Sequence, residues 1–386
     1  MKISISFSEL QNVLGYVNTV LSDKSVDDKI KNVIFLVSES GEVQVVAYNA
    51  LTFCRTVLEK AVAEGIHVGG WEFQVKAGEL NKIVSSFSNM YRTHVDTLDF
   101  EESGVRIRLT VHEVAKEGID SKLSKDSMFE LENAPILSNI NKEIKTKFPE
   151  NQSLSMSNEL MVYINAMFGI MANDSSNSIA SKLNFAEDYV FCMSNAMSAF
   201  MVNKLPDDFK NVSLGYSSVS FLKKICEGLG ENQGIGVAKT DLYICVESGN
   251  TQAFMRYKPV KINYKMYVSK MSKDRGIVID RLYFKDVLKR MGNIAAEGKL
   301  FVSDDENITV QNDAFSQEIP LNGIKEGTVG TQFKFSVSVL EKLILGSDDA
   351  YADNLFIYFV DTMRGYIVYV SDKSGVWFAN TQVSKI

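Results

Sequence analysis

At 386 residues, 45% apolar, 23% charged and with five prolines, the chain has the composition of a soluble globular protein and the length of two to four domains. No stretch approaches the ~18 apolar residues of a membrane span, and the opening "MKISISFSELQNV" alternates apolar residues where a signal peptide would have an unbroken apolar run. The formal net charge is -7, so a local excess of cations needs a reason.

In chain order, the first element is an amphipathic helix predicted over 6–22, behind a Ser8 cap, with Leu10, Val13, Leu14, Val17, Val20 and Leu21 at helical spacing. The run "NVIFLVSESGEVQVVAYNALTFCRTVL" then reads as β-rich segments joined through Ser-Gly, the pattern of a hairpin. A short helix at 77–87 puts Leu80, Ile83, Val84 and Phe87 on one face, and a further hairpin is predicted over 97–111. The same order returns twice. The middle third gives a long helix at 155–173, strands at 182–203, a short helix at 216–229 and closing strands at 234–257. The last third gives a helix at 281–298, strands at 299–321, a short helix at 336–345 and a hairpin at 354–379.

This periodicity predicts three repeated α+β modules, 1–135, 136–266 and 267–386, each with two helices against antiparallel sheets. The joins near 130–150 and 258–275 gather Lys, Asn and Pro and lose periodicity. Edge strands that pair across the joins would hide those edges and make the sheets continuous.

Several motifs carry no chemistry. Cys54, Cys192, Cys226 and Cys245 are far apart and form no C-x-x-C pair, so reduced core thiols are expected. His67, His94 and His112 lack metal-ligand spacing, and no metal or other cofactor is expected. "GLGENQGIG" (228–236) follows a helix and lacks the Lys-Ser/Thr of a P-loop, so it reads as a helix end and loop. "SDDENITVQND" (303–313) lacks the EF-hand glycine and terminal glutamate and reads as a hairpin turn. The Asn-x-Ser/Thr triplets at Asn151, Asn211 and Asn307 have no meaning without secretion.

The three-module count, the opening "KISISFSELQNVLGYVNTVLSDKSV", the phrase "GEVQVVAYNALTFCRTV…VKAGELNKIVSSF" and an ending close after a final strand, "VWFANTQVSKI", resemble the bacterial β-type DNA sliding clamp. The likeness covers the chain as a pattern of elements. Where the cellular clamps have an Asp-Gly-His-Arg-type phrase, this chain has "SNAMSAF" (194–200), and their Pro- and Met-rich C-terminus is replaced by "NTQVSKI". Such departures suit a divergent clamp, for instance one encoded by a virus of bacteria.

The resemblance implies a homodimer of three-domain subunits closing into a six-domain ring around double-stranded DNA, held without regard to sequence. It also implies a replicative DNA polymerase and a clamp loader as partners, no membrane, a cytoplasmic location in a bacterium or infected host, and no catalysis. DNA contact would need cations facing the hole. In "RLYFKDVLKRMGNI", Phe284, Val287, Leu288 and Met291 form the core face, while Lys285, Lys289 and Arg290 fall on the other. Lys82, Lys223, Lys224 and Lys342 alternate with apolar residues on the short helices, Lys76 precedes the first of these, and Lys24 follows the first long helix. Asp286 stands four residues before Arg290, at the spacing of a surface ion pair. The long helices of the first two modules show mainly Asn, Gln, Ser and Glu, so DNA contact is expected to be uneven.

The resemblance further implies a hydrophobic pocket between the second and third modules for a partner peptide. By position its walls are Met193, Asn195, Met197, Phe378, Asn380 and Val383, with Tyr267 and Val268 of the join nearby. Met193, Met197 and Met201 fit a core equally well. Two other readings stand beside the clamp: an adaptor or inhibitor that binds replication proteins without encircling DNA, and an enzyme on a repeated α+β scaffold. The enzyme requires a clustered pair of acids that the sequence does not offer.

Overall fold

The structure, a computed structural model, describes residues 1–21, 31–49, 51–119, 121–171, 182–194, 196–228, 233–269, 272–345, 353–363, 365–372 and 377–386. β1 (Lys2–Ser6) runs straight into α1 (Phe7–Leu21), followed by β2 (Asn32–Val37), β3 (Val43–Tyr48), β4 (Thr52–Leu58) and β5 (Val62–Glu64). β6 (Trp71–Lys76) leads into α2 (Ala77–Phe87), and β7 (Thr93–Ser103), β8 (Arg106–Ala115) and β9 (Lys125–Glu132) complete the set.

After α3 (Ser138–Ile144) the order repeats as β10 (Ser153–Met156), α4 (Ser157–Phe168), β11 (Lys182–Phe185), β12 (Tyr189–Met193), β13 (Met197–Val202) and β14 (Val212–Gly215). It continues with α5 (Tyr216–Gly228), β15 (Gly234–Lys239), β16 (Tyr243–Ser248) and β17 (Thr251–Arg256). After α6 (Lys265–Val268) come β18 (Gly276–Asp280), α7 (Arg281–Gly292), β19 (Glu297–Val302), β20 (Asn307–Gln311), β21 (Ser316–Ile324) and β22 (Gln332–Ser336). α8 (Val337–Leu345), β23 (Asn354–Thr362), β24 (Gly365–Ser371) and β25 (Trp377–Lys385) end the chain.

The apolar stripes produce these helices. In α1 the buried residues are Phe7, Leu10, Val13, Leu14, Val17, Val20 and Leu21, the predicted face with Phe7 added. Ser8 is not the cap: the helix begins at Phe7, and Ser8 sits in its first turn with its hydroxyl 3.0 Å from that of Ser6. α7 stops at Gly292, short of the predicted 298, because Glu297 already belongs to β19. Both joins contain a helix where only irregular chain was expected. Among the described residues no helix is long and apolar enough to cross a membrane.

The chain packs as two compact units, Met1–Met156 with Ser220–Tyr257, and Ser157–Val219 with Lys258–Ile386. The first contains a five-stranded sheet, β5-β1-β7-β8-β9, and an eight-stranded sheet, β10-β15-β16-β17-β4-β3-β2-β6. The second contains a twelve-stranded sheet, β14-β11-β12-β13-β25-β22-β19-β20-β21-β18-β23-β24, in which β24 also pairs with β25. All named pairings are antiparallel, as expected of sheets with helices on one face.

Each unit has one seam between successive repeats, and the two seams are built alike. In the first unit β4 pairs with β17, and Phe53 lies opposite Phe254 with the rings stacked at 4.3 Å and 9°. In the second unit β13 pairs with β25, and Phe200 lies opposite Phe378 with the rings stacked at 5.1 Å and 14°. All four rings are buried, each contributing roughly 1.5–3 kcal/mol by burial. A helix covers each seam: Ile140 and Ile144 of α3 join the first cluster, and Tyr264 with Tyr267 and Val268 of α6 the second.

Glu143 locks α3 in place. Its carboxylate accepts hydrogen bonds from Tyr48 Oη at 3.0 Å, Arg256 Nη2 at 2.7 Å and the Tyr243 hydroxyl. Burial and this carboxylate push the Tyr48 phenol up to about 12. The four cysteines are buried free thiols, and burial pushes Cys54, Cys226 and Cys245 up to about 12, well away from reactive thiolate character.

Candidate nucleic-acid and partner surfaces

The cations of α7 stand on a helix that is well fixed. Asp280 caps it, its Oδ1 accepting from the Tyr283 amide at 2.7 Å, and Phe284, Val287, Leu288 and Met291 are wholly buried beneath it. Lys289 and Arg290 are exposed in the last turn, where positive charge also suits the helix dipole. The expected Asp286–Arg290 ion pair does not form; Arg290 Nε donates instead to the Asp286 backbone carbonyl at 3.3 Å. Lys285 is half-buried on the same helix, and Lys342 is exposed on α8, which packs against α7. Gly292 permits that approach, since a Cβ there would lie 3.3 Å from Val337 Cγ1.

The first unit presents a different helical surface. Asn18 of α1 and Asn81 of α2 hydrogen-bond each other through both amides, and Gln11 Nε2 donates to Ser88 Oγ at 3.0 Å. This polar surface is neutral and satisfies itself. Lys82 is exposed beside it, whereas Lys76 is held by Glu132 at 2.5 Å, a bond that raises its pKa and lowers that of Glu132. On α5, Lys223 approaches Glu227 at 3.7 Å and Lys224 is exposed. On α4 of the second unit the exposed polar residues are Asn158, Glu159 and Asn165. Lys24 lies outside the described residues.

Of the residues expected in a peptide pocket, the second seam gathers five. Met193, Tyr267 and Val268 are partly buried against a cluster of Phe191, Phe200, Tyr264, Tyr358, Tyr369 and Phe378. Asn380 shares the Phe378 face of β25, two residues along, and lies opposite Ser198. Met197 and Val383 point the other way. Strand alternation puts Met197 opposite Thr381, and Val383 lines a separate cavity of about 340 Å³ with Phe335, Val339 and Leu340. Asn195 lies outside the described residues. Met266, 46% exposed, leaves apolar surface at this join. Sequence reasoning missed Tyr264 and Ile262, although two large apolar residues inside a Lys- and Asn-rich join were a usable signal.

Among the described residues β5, β6, β9, β10 and β14 end their sheets, and β21 is unpaired on one side over part of its length. β9 pairs with β8 alone. β21 pairs with β20 over Ser316–Pro320 and turns to β18 only from Leu321 onward, so its first half has a free side. Leu321 N donates to the carbonyl of Glu306, the residue just before β20, which by alternation turns the Ser316, Glu318 and Pro320 backbone groups outward, and Pro320 has no N–H to offer. Exposed apolar residues stand by the β21 and β9 edges. Leu282 is 55% and Tyr283 37% exposed at the start of α7, and Tyr283 Oη accepts from Gln317 Nε2 of β21 at 3.1 Å. On β9 itself Met128 is 71% exposed, and the partly buried Phe129 meets Phe87 of α2 edge-on at 6.2 Å.

No family model and no curated protein matches the sequence. Solved structures match its fold over the whole chain. A putative DNA polymerase III beta subunit from Eubacterium rectale superimposes with a TM-score of 0.76 at 12% identity, covering 100% of both chains. The DNA polymerase sliding clamp from Caulobacter crescentus gives 0.77 at 14% identity, again covering 100% of both. That from Bacillus subtilis gives 0.75 at 13% identity, covering 100% of this chain and 99% of its own. The chain therefore has the α+β fold of the sliding clamps, three repeated modules included, at great sequence distance.

Proposed function

We propose that this chain is a DNA sliding clamp, two copies of which close head to tail into a ring that encircles duplex DNA and tethers a replicative polymerase. The observation that carries this is the repeated seam. Taking modules 1–135, 136–266 and 267–386, the last strand of one module pairs with the third strand after the long helix of the module before it, as β17 with β4 and β25 with β13. The remaining members of that series are β9 and β21, and each of them has an edge free to pair, although β5, β6, β10 and β14 also end their sheets. β9 of one copy would pair with β21 of the other, twice per ring, with Leu282 and Tyr283 packing near Phe87 and Phe129.

Size favours two copies. Helices pack ~8–10 Å apart, so the six module helices of one chain would trace a circle only ~20 Å across at their axes. Twelve give ~40 Å, and ~30 Å of opening once half a helix is removed from each side. Only the larger hole admits a duplex roughly 20 Å wide. Lys285, Lys289, Arg290 and Lys342 would supply most of the phosphate contact, with Lys82, Lys223 and Lys224 adding less. Such contacts are blind to sequence and leave the ring free to slide.

The action is topological and not catalytic: a closed ring cannot leave sideways, and tethering keeps the polymerase at high local concentration. The apolar surface around Met193, Tyr267, Val268 and Phe378 would take the partner peptide. Loading would fall to a separate clamp loader, in the cytoplasm of a bacterium or infected host. The lack of cations on α1 and α4 favours a second reading, an adaptor that binds replication proteins without encircling DNA. Retention on closed circular DNA separates the two. A clamp stays on the circle in high salt and runs off once the DNA is linearised; equal loss from both forms would leave the adaptor.

A further inference from the structure

The five-stranded sheet of the first unit has a feature unrelated to DNA or peptide binding. Ile107, Leu109 and Val111 of β8 are wholly buried, which turns the alternate residues Arg108 and His112 toward solvent. His112 Nδ1 lies 2.8 Å from Asp126 Oδ1 on β9, and its Nε2 lies 2.9 Å from Asp99 Oδ2 on β7. A neutral imidazole has one N–H and can donate to only one of these carboxylates. The imidazolium has two and satisfies both.

The neighbouring charges are accounted for. Lys2 of β1 holds Asp99 at 2.7 Å, and Arg108 reaches Glu130 of β9 at 3.1 Å and Glu101 of β7 at 3.8 Å. Lys76 of β6 holds Glu132, and Lys125 lies opposite Glu113 one register step from His112. The outward acids of β9 thus each face cations, Asp126 that of His112, Glu130 that of Arg108, and Glu132 those of Lys76 and Arg106, and only that of Asp126 titrates near neutral pH. Burial opposes the His112 charge, but the bonds to Asp99 and Asp126 outweigh it and raise the pKa. Burial likewise acts against the Asp99 charge and is outweighed by Lys2, Ser4 and His112, which together lower its pKa.

We propose that His112 is a proton-operated fastener of β9: charged, it ties the open strand across β8 to β7 through two carboxylates, and neutral, it lets one of them go. A raised histidine pKa contributes fully below the unfolded value and is lost as pH rises through the folded one, so the strand loosens on the alkaline side. The further consequence, a ring that opens more readily as pH rises, rests on the reading of β9 as the closing edge.

Hydrogen exchange of the β9 amides in the full chain, corrected for the intrinsic effect of pH, tests the fastener between about pH 6 and pH 9. Wild-type protection should fall about fivefold, the difference between a charged and a neutral hydrogen bond. His112→Gln and Asp126→Asn should show low protection that does not change with pH. Wild-type protection that stays flat while the His112 ring titrates by NMR would overturn the proposal. Sedimentation over the same range keeps the two ideas apart. A monomer at every pH with pH-dependent β9 protection supports the fastener and removes the ring, whereas a dimer with flat protection removes the fastener alone.

Discussion

Glu143 holds α3 to three strands at once, and its loss has a calculable cost. Glu143→Gln leaves the Arg256 guanidinium without its carboxylate and weakens the bonds from Tyr48 and Tyr243. Because Arg256 is 45% exposed, water compensates in part, and the loss should fall at the low end of ~1–3 kcal/mol, visible as an earlier urea midpoint. The Tyr48 phenol contributes stability fully below its ordinary 10.0 and loses it as pH climbs toward about 12. Tyrosinate absorbance should therefore reveal a late-titrating tyrosine that moves toward the ordinary range in Glu143→Gln. Neither Glu143 nor His112 could be read from the sequence, because their partners lie on other strands, up to 113 residues away. The cysteines could be read, since the apolar runs that bury them are local. The cations of α7 were equally legible, as one helical period separates them from Phe284, Val287 and Leu288. Replacing Lys289 and Arg290 by Ala should flatten the salt dependence of DNA retention by about 0.9 in log–log slope for every phosphate contact removed. An unchanged slope would place the duplex elsewhere.

Helices with a strong apolar stripe were legible at the scale of elements, and α2 lies where its sequence puts it, at Ala77–Phe87. α3 and α6 were not. Leu137 and Tyr264 at their N-caps make no side-chain cap bond, and seven and four residues are too few for a helix to persist by propensity alone. They form because Ile140, Ile144, Tyr267 and Val268 have aromatic seams to cover, and a seam exists only after strands far apart in sequence have paired. The same dependence splits the expected pocket. Which of Met193, Met197, Phe378 and Val383 share a face follows from strand register, and register is fixed by β13 meeting β25. α7 offers a local check: Asp280→Ala removes its cap, and thermal unfolding should report a loss of about 1 kcal/mol, within the ~0.5–2 range for such caps. A loss well below that would mean packing against β18 and α8 fixes the helix start unaided.

For the whole molecule, oligomeric state is the decisive quantity. Leu282→Asp with Tyr283→Asp alters two exposed side chains, so circular dichroism should be unchanged while sedimentation shifts from dimer to monomer at micromolar concentration. A dimer that survives both changes would remove α7 from the closing contact. The three-fold order of elements was legible because each module repeats the same switch between helical and strand periodicity. The grouping into two compact units was not, because it depends on how strands join across modules. The β9 and β21 edges have one more consequence. They are unlike, β9 bearing a row of acids and β21 a proline that withholds a donor. Subunits with two unlike, mutually complementary ends either close or grow into fibres without limit. In the proposed ring, a proline at the free side would keep the bond between copies weak enough to be remade, so that a chain wrongly joined to a growing fibre could detach and find the partner with which both ends are used at once.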